Sequence, residues 1–295
     1  MTSSFLPIVR SVSSLQGHVK AWRSRGQTVA LVPTMGALHD GHMSLIKLAR
    51  IQADRVVATV FVNPTQFGPN EDFDAYPRDE AADAQRLSDA QCDLMYAPTA
   101  AEMYPPGFAT SISVGGVSGG LDGAARPGHF DGVATVVSKL LIQASPDVAI
   151  FGEKDYQQLQ VIKRVTRDLD LRVKIIGAAI ARAPDGLALS SRNVYLSEHE
   201  RAVAPRLHLV LQEAAESLKG GAAVSKVEAN ATGALLQMGF EKVDYVEVRG
   251  ADDLAPAGPG AISGPSRVLA AAWLGRTRLI DNLAADPARP APPAA

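Results

Sequence analysis

The feature that most constrains this chain is an alternation: short apolar runs end in polar turns, and apolar residues then recur at helical spacing. Residues 29–32 (Val-Ala-Leu-Val) are continuously apolar, the pattern of a strand covered on both faces in a parallel sheet. Residues 55–62 and 147–151 read the same way, 172–177 add another strand, and shorter ones are expected at 93–96 and 111–114. Helices are expected at 11–25 (Val12, Leu15, Val19, Trp22), 43–51 (Met43, Leu45, Ile46, Leu48, Ala49), 81–90, 133–143 and beyond 158 (Leu159, Ile162, Val165). Alternation of this kind folds as a doubly wound parallel sheet, an α/β architecture with right-handed crossovers.

Near residue 181 the pattern changes. Helical stretches at 197–219 and 222–238 precede expected strands at 244–249, 267–274 and 277–283, the order of a smaller α+β module. The expected division is therefore residues 1–180, residues 181–283, and a Pro/Ala-rich tail at 284–295 with nothing to bury.

Bulk properties exclude several classes. A net charge of −2 over 295 residues advertises neither a nucleic-acid nor an anionic-membrane partner. The single cysteine, Cys92, excludes an intramolecular disulfide or a cysteine-built metal cluster; it fits a reducing cytoplasm and reads as a small buried apolar residue. No apolar run approaches the ~20 residues of a spanning helix, and the first ten residues lack a signal-peptide pattern. A cytoplasmic enzyme is the expectation.

The chemistry concentrates where the first long strand ends, at Pro33-Thr34-Met35-Gly36-Ala37-Leu38-His39-Asp40-Gly41-His42. His39 and His42 fall at or just before a helix start, where unpaired N–H groups and the helix dipole favour an anion. Gly36 and Gly41, lacking Cβ, allow close ligand approach. The combination reads as a phosphate site. In open parallel sheets ligands bind beyond the carboxyl ends of strands, which puts Asn63 and Gln66 on the same edge. Lys154, Asp155 and Gln158 follow a further strand, and Ser190, Ser191 and Arg192 form a fourth polar cluster before a helix. Residues 69–80 are a polar, Pro-bounded loop long enough to act as a lid.

Taken together, residues 33–42, 62–67 (Val-Asn-Pro-Thr-Gln-Phe), 151–158 (Phe-Gly-Glu-Lys-Asp-Tyr-Gln-Gln) and 189–193 (Leu-Ser-Ser-Arg-Asn) resemble the signature blocks of the pantoate–β-alanine ligase family. Residues 126–133 and 277–282 are similar to it as well, and the likeness runs in order to about residue 283. Thr65 and Ala82 depart from the usual pattern, whereas Asp83 keeps it.

The resemblance implies a Rossmann-like domain of the HIGH nucleotidyltransferase type, a smaller C-terminal domain closing over the site, dependence on ATP and Mg²⁺, and a homodimer. It implies catalytic roles for His39, His42, Lys154 and Arg192. It further implies an ATP site built from Met35 to His42 (with Ala37, Leu38 and Asp40), Gly152, Glu153, Lys154, Asp155, Ala181, Leu189, Ser190, Ser191 and Arg192. Gln66 and Gln158 would hold pantoate, Gln66 also β-alanine, and no protein metal ligand is assigned. The implied reaction joins pantoate to β-alanine through pantoyl adenylate, releasing pyrophosphate and AMP.

Three rivals share parts of the pattern. A class I aminoacyl-tRNA synthetase fragment has similar motifs but needs a basic surface and an anticodon-binding domain. A nucleotidyltransferase that adenylates a phosphate ester would stop near residue 180. A non-catalytic adenine-nucleotide sensor would bind ATP without pantoate-dependent exchange of pyrophosphate.

Overall fold

The computed structural model describes residues 6–69 and 71–287; residues 288–295 of the expected tail lie outside them. The described residues form two compact units. One holds the chain up to Glu153 together with Gln157–Ala181; the other holds Lys154–Tyr156 and the residues from Arg182 onward.

The first unit is built on six parallel strands, β1 (Ile8–Val9), β2 (Val29–Thr34), β3 (Arg55–Val60), β4 (Leu94–Tyr96), β5 (Val148–Gly152) and β6 (Lys174–Ala178), in the order β1-β4-β3-β2-β5-β6. The chain winds outward one way from β2 through β3 and β4, then returns to the other side for β5 and β6. The reversal lies between β2 and β5, and such switch points are where open α/β sheets bind ligands. Helices α1 (Val12–Arg23), α2 (Asp40–Gln52), α3 (Glu80–Asp89), α4 (Ala100–Met103), α5 (Leu121–Ala125), α6 (His129–Ala144) and α7 (Tyr156–Asp168) accompany the strands. Strands buried on both sides explain the absence of alternation: Val29, Ala30, Leu31 and Val32 are all inaccessible to solvent. Ala30, Val32, Val56, Ala58, Met95 and Ile150 pack with Leu45, Ile46 and Ala49 of α2 and Leu87 of α3. Of the other helices, α6 packs against β2 and against α1.

The second unit is a three-stranded antiparallel sheet, β7 (Lys242–Gly250), β8 (Ser266–Leu274) and β9 (Thr277–Ala285), in that order. Helices α8 (Glu198–Val203), α9 (Arg206–Lys219) and α10 (Val224–Gln237) belong to it, and α9 and α10 pack on one another and on the strands. Leu207, Leu211, Leu218, Leu235, Val248, Val268 and Leu274 are among its core residues.

Several details differ from the sequence expectations. Ala284 and Ala285, expected in the tail, end β9 opposite Arg267 and Ser266, and Ala285 is buried; the short helices α4 and α5 are not among the expected elements. Residues 111–114 form no strand; Ile112 N–H donates to Thr135 Oγ1 (2.9 Å) instead of a ladder partner. The helical stretch 197–219 is two helices, because Pro205 sits between α8 and α9 and has no N–H to continue the first. Residues Ile8–Val9, too short to show periodicity, pair with Met95 and Tyr96 as an added edge strand.

Candidate active site

The turn after β2 is shaped by two features that the local sequence encodes only in part. Gly36 has φ +83°, and a Cβ there would lie 2.8 Å from Asp83 Oδ2 and 3.1 Å from Val60, so only glycine fits. Asp83, on α3, is almost wholly buried, and its carboxylate accepts the N–H of Ala37 (3.0 Å) and of Leu38 (2.7 Å). Burial pushes its pKa above the ordinary range, against the pull of those two amides. Asp83 thus holds the loop from within.

His39 is the N-cap of α2. Its Nδ1 accepts the Gly41 N–H (3.1 Å), while His42 Nδ1 accepts the His39 N–H (3.2 Å), a reciprocal capping box built from imidazoles. An imidazole whose Nδ1 accepts carries its proton on Nε2, so both rings are set as Nε2–H donors. The rings lie 4.2 Å apart between centroids.

Beyond β3, Asn63 caps the 3₁₀ turn Pro64–Gln66, and both Asn63 and Gln66 are buried. Asn63 Nδ2 donates to Gln66 Oε1 (3.1 Å) and to Gly132 O (3.3 Å), and Tyr104 OH donates to Asn63 Oδ1 (2.7 Å). Gln66 Nε2 in turn donates to Met35 Sδ (3.3 Å), which joins this turn to the loop after β2. The loop that begins at Met35 and the turn that carries Asn63 and Gln66 are thereby tied together at the sheet edge. Gly152 ends β5 on the other side of the switch point, Glu153 opens the 3₁₀ turn after it, and Ala181 follows β6.

Residues 71–79 fold back on themselves. Phe67 meets Phe73 (5.3 Å) and Tyr76 (6.0 Å) edge-on, and Arg78 Nη2 donates to Phe73 O (2.6 Å). Glu71 forms a bidentate pair with Arg126 (2.7 and 2.6 Å). Arg126 Nη1 also contacts His129 Nε2 (3.0 Å), and His129 Nδ1 lies 2.8 Å from Gln66 O. Burial and then the adjacent guanidinium lower the His129 pKa to about 4, so the ring is neutral at pH 7.

The second unit carries Lys154, Asp155, Leu189, Ser190, Ser191 and Arg192. Lys154 Nζ pairs with Asp155 Oδ1 (3.7 Å), and its backbone carbonyl accepts Asn282 Nδ2 (2.9 Å). Tyr156 OH donates to Ala251 O (2.8 Å), and the Arg267 guanidinium stacks 3.8 Å over the Tyr156 ring. Ser190 caps the 3₁₀ helix Ser191–Tyr195 by accepting the Arg192 N–H (3.3 Å). Gln158, on α7, is half-buried.

Sequence reasoning did not assign the side chains that hold these residues in place. Asp83, Arg126, His129, Tyr104 and Asn282 act on residues far away in sequence; Arg126, His129 and Asn282 fall in the matched blocks and Asp83 keeps the family pattern, whereas nothing in the local sequence marks Tyr104. Cys92 is buried as expected, and burial pushes its thiol up to about 11, which removes it as a nucleophile.

A parallel sheet whose winding reverses beside a glycine turn and two cap imidazoles is a Rossmann-like α/β fold, of the class that binds its ligands at such a switch point. The profile of the family described as Pantoate-beta-alanine ligase matches residues 7–284. Pantothenate synthetase of Caulobacter vibrioides is 61% identical over 278 residues, covering 94% of this chain and 98% of that protein. The pantothenate synthetase of Paramagnetospirillum magneticum is 59% identical and covers 97% and 100%. Among solved structures, pantothenate synthetase from Thermus thermophilus superposes with a TM-score of 0.89 at 43% identity, covering 96% of this chain and 100% of that one. Pantoate-beta-alanine ligase from Francisella tularensis, complexed with beta-gamma ATP and beta-alanine, gives 0.78 at 33% identity, covering 94% and 97%. The chain belongs to the pantoate–β-alanine ligase family, and its activity is ATP-dependent formation of pantothenate.

Proposed function

We propose that the edge of the parallel sheet binds the triphosphate of ATP at His39 and His42 and the pantoate carboxylate at Gln66 and Gln158, for transfer of AMP to pantoate. The observation that carries this reading is the imidazole capping box, which aims two N–H donors from a helix start. A carboxylate is ionised at pH 7, so attack on the α-phosphorus needs no general base. It needs charge neutralisation and alignment. Lys154, Ser190, Ser191 and Arg192 supply further donors, and Met35 to Leu38, Asp40, Gly41, Gly152, Glu153, Asp155, Ala181 and Leu189 frame the nucleotide. Neutral side-chain amides suit pantoate, because a tightly paired cation would quench the nucleophile. In the second half-reaction the β-alanine amine, held near Gln66, attacks the acyl carbon and AMP leaves. An acyl adenylate hydrolyses readily, so the site must exclude water from it.

Magnesium fits this chain as part of the MgATP substrate. Among the described residues no three His, Cys, Asp or Glu side chains cluster to hold a metal, and both Asp83 oxygens already accept backbone N–H groups. Mg²⁺ is ordinarily held by substrate phosphates and water with few carboxylates. The family resemblance supports a cytoplasmic homodimer; no helix among the described residues is long and apolar enough to cross a membrane. Mass measurement in solution tests the dimer.

The test of function is product analysis with ATP, pantoate and β-alanine. One AMP and one pyrophosphate per pantothenate are expected, with pantoate-dependent ATP–pyrophosphate exchange when β-alanine is omitted. ADP with phosphate, or exchange without pantoate, would overturn the reading.

A further inference from the structure

Three side chains in series end on the backbone of the residue proposed to hold pantoate. The Glu71 carboxylate takes two donors of Arg126, Arg126 Nη1 lies 3.0 Å from His129 Nε2, and His129 Nδ1 lies 2.8 Å from Gln66 O. A guanidinium can only donate and a carbonyl can only accept. The imidazole between them therefore has one allowed tautomer: Nε2 accepts from Arg126, and Nδ1–H donates to Gln66 O. We propose that Arg126 and His129 are positioning residues for Gln66, a hydrogen-bond relay with one direction that sets the Gln66 backbone from the Glu71 segment. The inference rests on the proposed role of Gln66 toward pantoate.

The surroundings support the assignment. His129 is the first residue of α6, after Gly128 in the left-handed conformation, and Gly132 one turn on brings the helix backbone against the same turn. A Cβ at Gly132 would collide with Thr65 O and lie 2.8 Å from Gln66 Cα. The Gln66 side chain is already gripped by Asn63 and Met35. Helix α6 therefore holds the backbone of the turn while Asn63, the cap of the same turn, and Met35 in the loop after β2 hold its amide. Neither Arg126 nor His129 needs to touch substrate for this. Arg126 also joins the Glu71 segment to the site, so the relay carries the position of that segment to the pantoate amide.

The experiment compares His129→Gln, His129→Asn, Arg126→Met and Gln66→Ala in the full-length protein by steady-state kinetics. ATP binding by calorimetry and thermal unfolding serve as fold readouts. Asparagine places an amide N–H where Nδ1 stood and keeps the donor to Gln66 O; glutamine reaches Arg126 instead and loses that donor. The expected result is a KM for pantoate raised about 10-fold in His129→Gln, with KM for ATP within about twofold. His129→Asn should recover pantoate KM to within about threefold of wild type. Arg126→Met, which leaves His129 in place, should shift pantoate KM in the same direction as His129→Gln. Equal impairment in the two His129 variants, or wild-type pantoate KM in His129→Gln, overturns the relay. Should His129→Gln not fold, unchanged pantoate KM in Arg126→Met overturns it. If Gln66→Ala leaves pantoate KM unchanged, the role of Gln66 fails and the relay's purpose with it. If Gln66→Ala is impaired and the relay variants are not, the relay alone is wrong.

Discussion

A histidine can donate, accept or titrate, and in this protein the partner decides which. His39 and His42 accept backbone N–H groups at Nδ1 and so present Nε2–H outward. His42→Ala removes one such donor, and Lys154→Ala removes the ammonium. Each should lower kcat/KM for adenylation by ~10²–10³, read from ATP–pyrophosphate exchange, since a lost transition-state donor in a dry site typically costs that much. Gln66→Ala and Gln158→Ala should instead raise KM for pantoate while KM for ATP stays near wild type; equal effects on both constants count against the amide roles. His129 gives a stability prediction. Its folded pKa of about 4 lies below the ordinary 6.5, so the unfolded chain takes up a proton first as pH falls. The stabilisation is complete above about pH 6.5 and is lost progressively down to about pH 4, on the order of 3 kcal/mol in all. Denaturant titrations at pH 7.5 and 5 should show the drop, and His129→Asn should flatten it.

Between one secondary-structure element and the next, backbone approach matters as much as side-chain chemistry. Helices α6 and α10 each carry a glycine beyond the first turn, Gly132 and Gly233, and their surroundings are opposite. A Cβ at Gly132 would collide with backbone atoms of Thr65 and Gln66, which cannot swing aside, whereas one at Gly233 meets nothing within 4 Å. Gly132→Ala should lower stability by about 1–3 kcal/mol despite the better helix former, and raise pantoate KM by displacing the turn. Gly233→Ala should raise stability by about 0.5–1 kcal/mol, since alanine is less costly than glycine inside a helix. Thermal unfolding distinguishes the two signs. Element placement itself was largely readable in advance, because continuous apolar runs and 3.6-residue periodicity are local signals. The exceptions are physical too. Residues 111–114 look like a strand but find a threonine hydroxyl instead of a ladder, and Pro205 divides a stretch whose periodicity alone reads as continuous.

For the molecule as a whole, each unit has its own apolar core. Ile150 lies in the first and Leu211 in the second, and neither is exposed to solvent. Truncating either to alanine should cost about 2–5 kcal/mol of the stability of its own unit, seen as a lowered thermal transition. Calorimetric scans of the two variants should show which unit melts first. Lys154–Tyr156 belongs to the second unit although the residues on either side of it belong to the first. Asn282 on the Lys154 carbonyl, and Ala251 and Arg267 on Tyr156, secure it there.

By itself the sequence determined the α/β winding, the glycine and histidine turn at the end of β2, and the blocks that carry the family likeness. All of these are set by neighbours within a few residues, where apolar spacing, turn propensity and cap chemistry act. Only the tertiary structure decided that Asp83 clasps the turn amides, that Gln66 reaches Met35, and that Glu71, Arg126 and His129 line up behind Gln66. Those bonds join residues up to 63 positions apart. Their formation depends on which strand lies beside which and on where helices cross, and no local pattern of side chains encodes that.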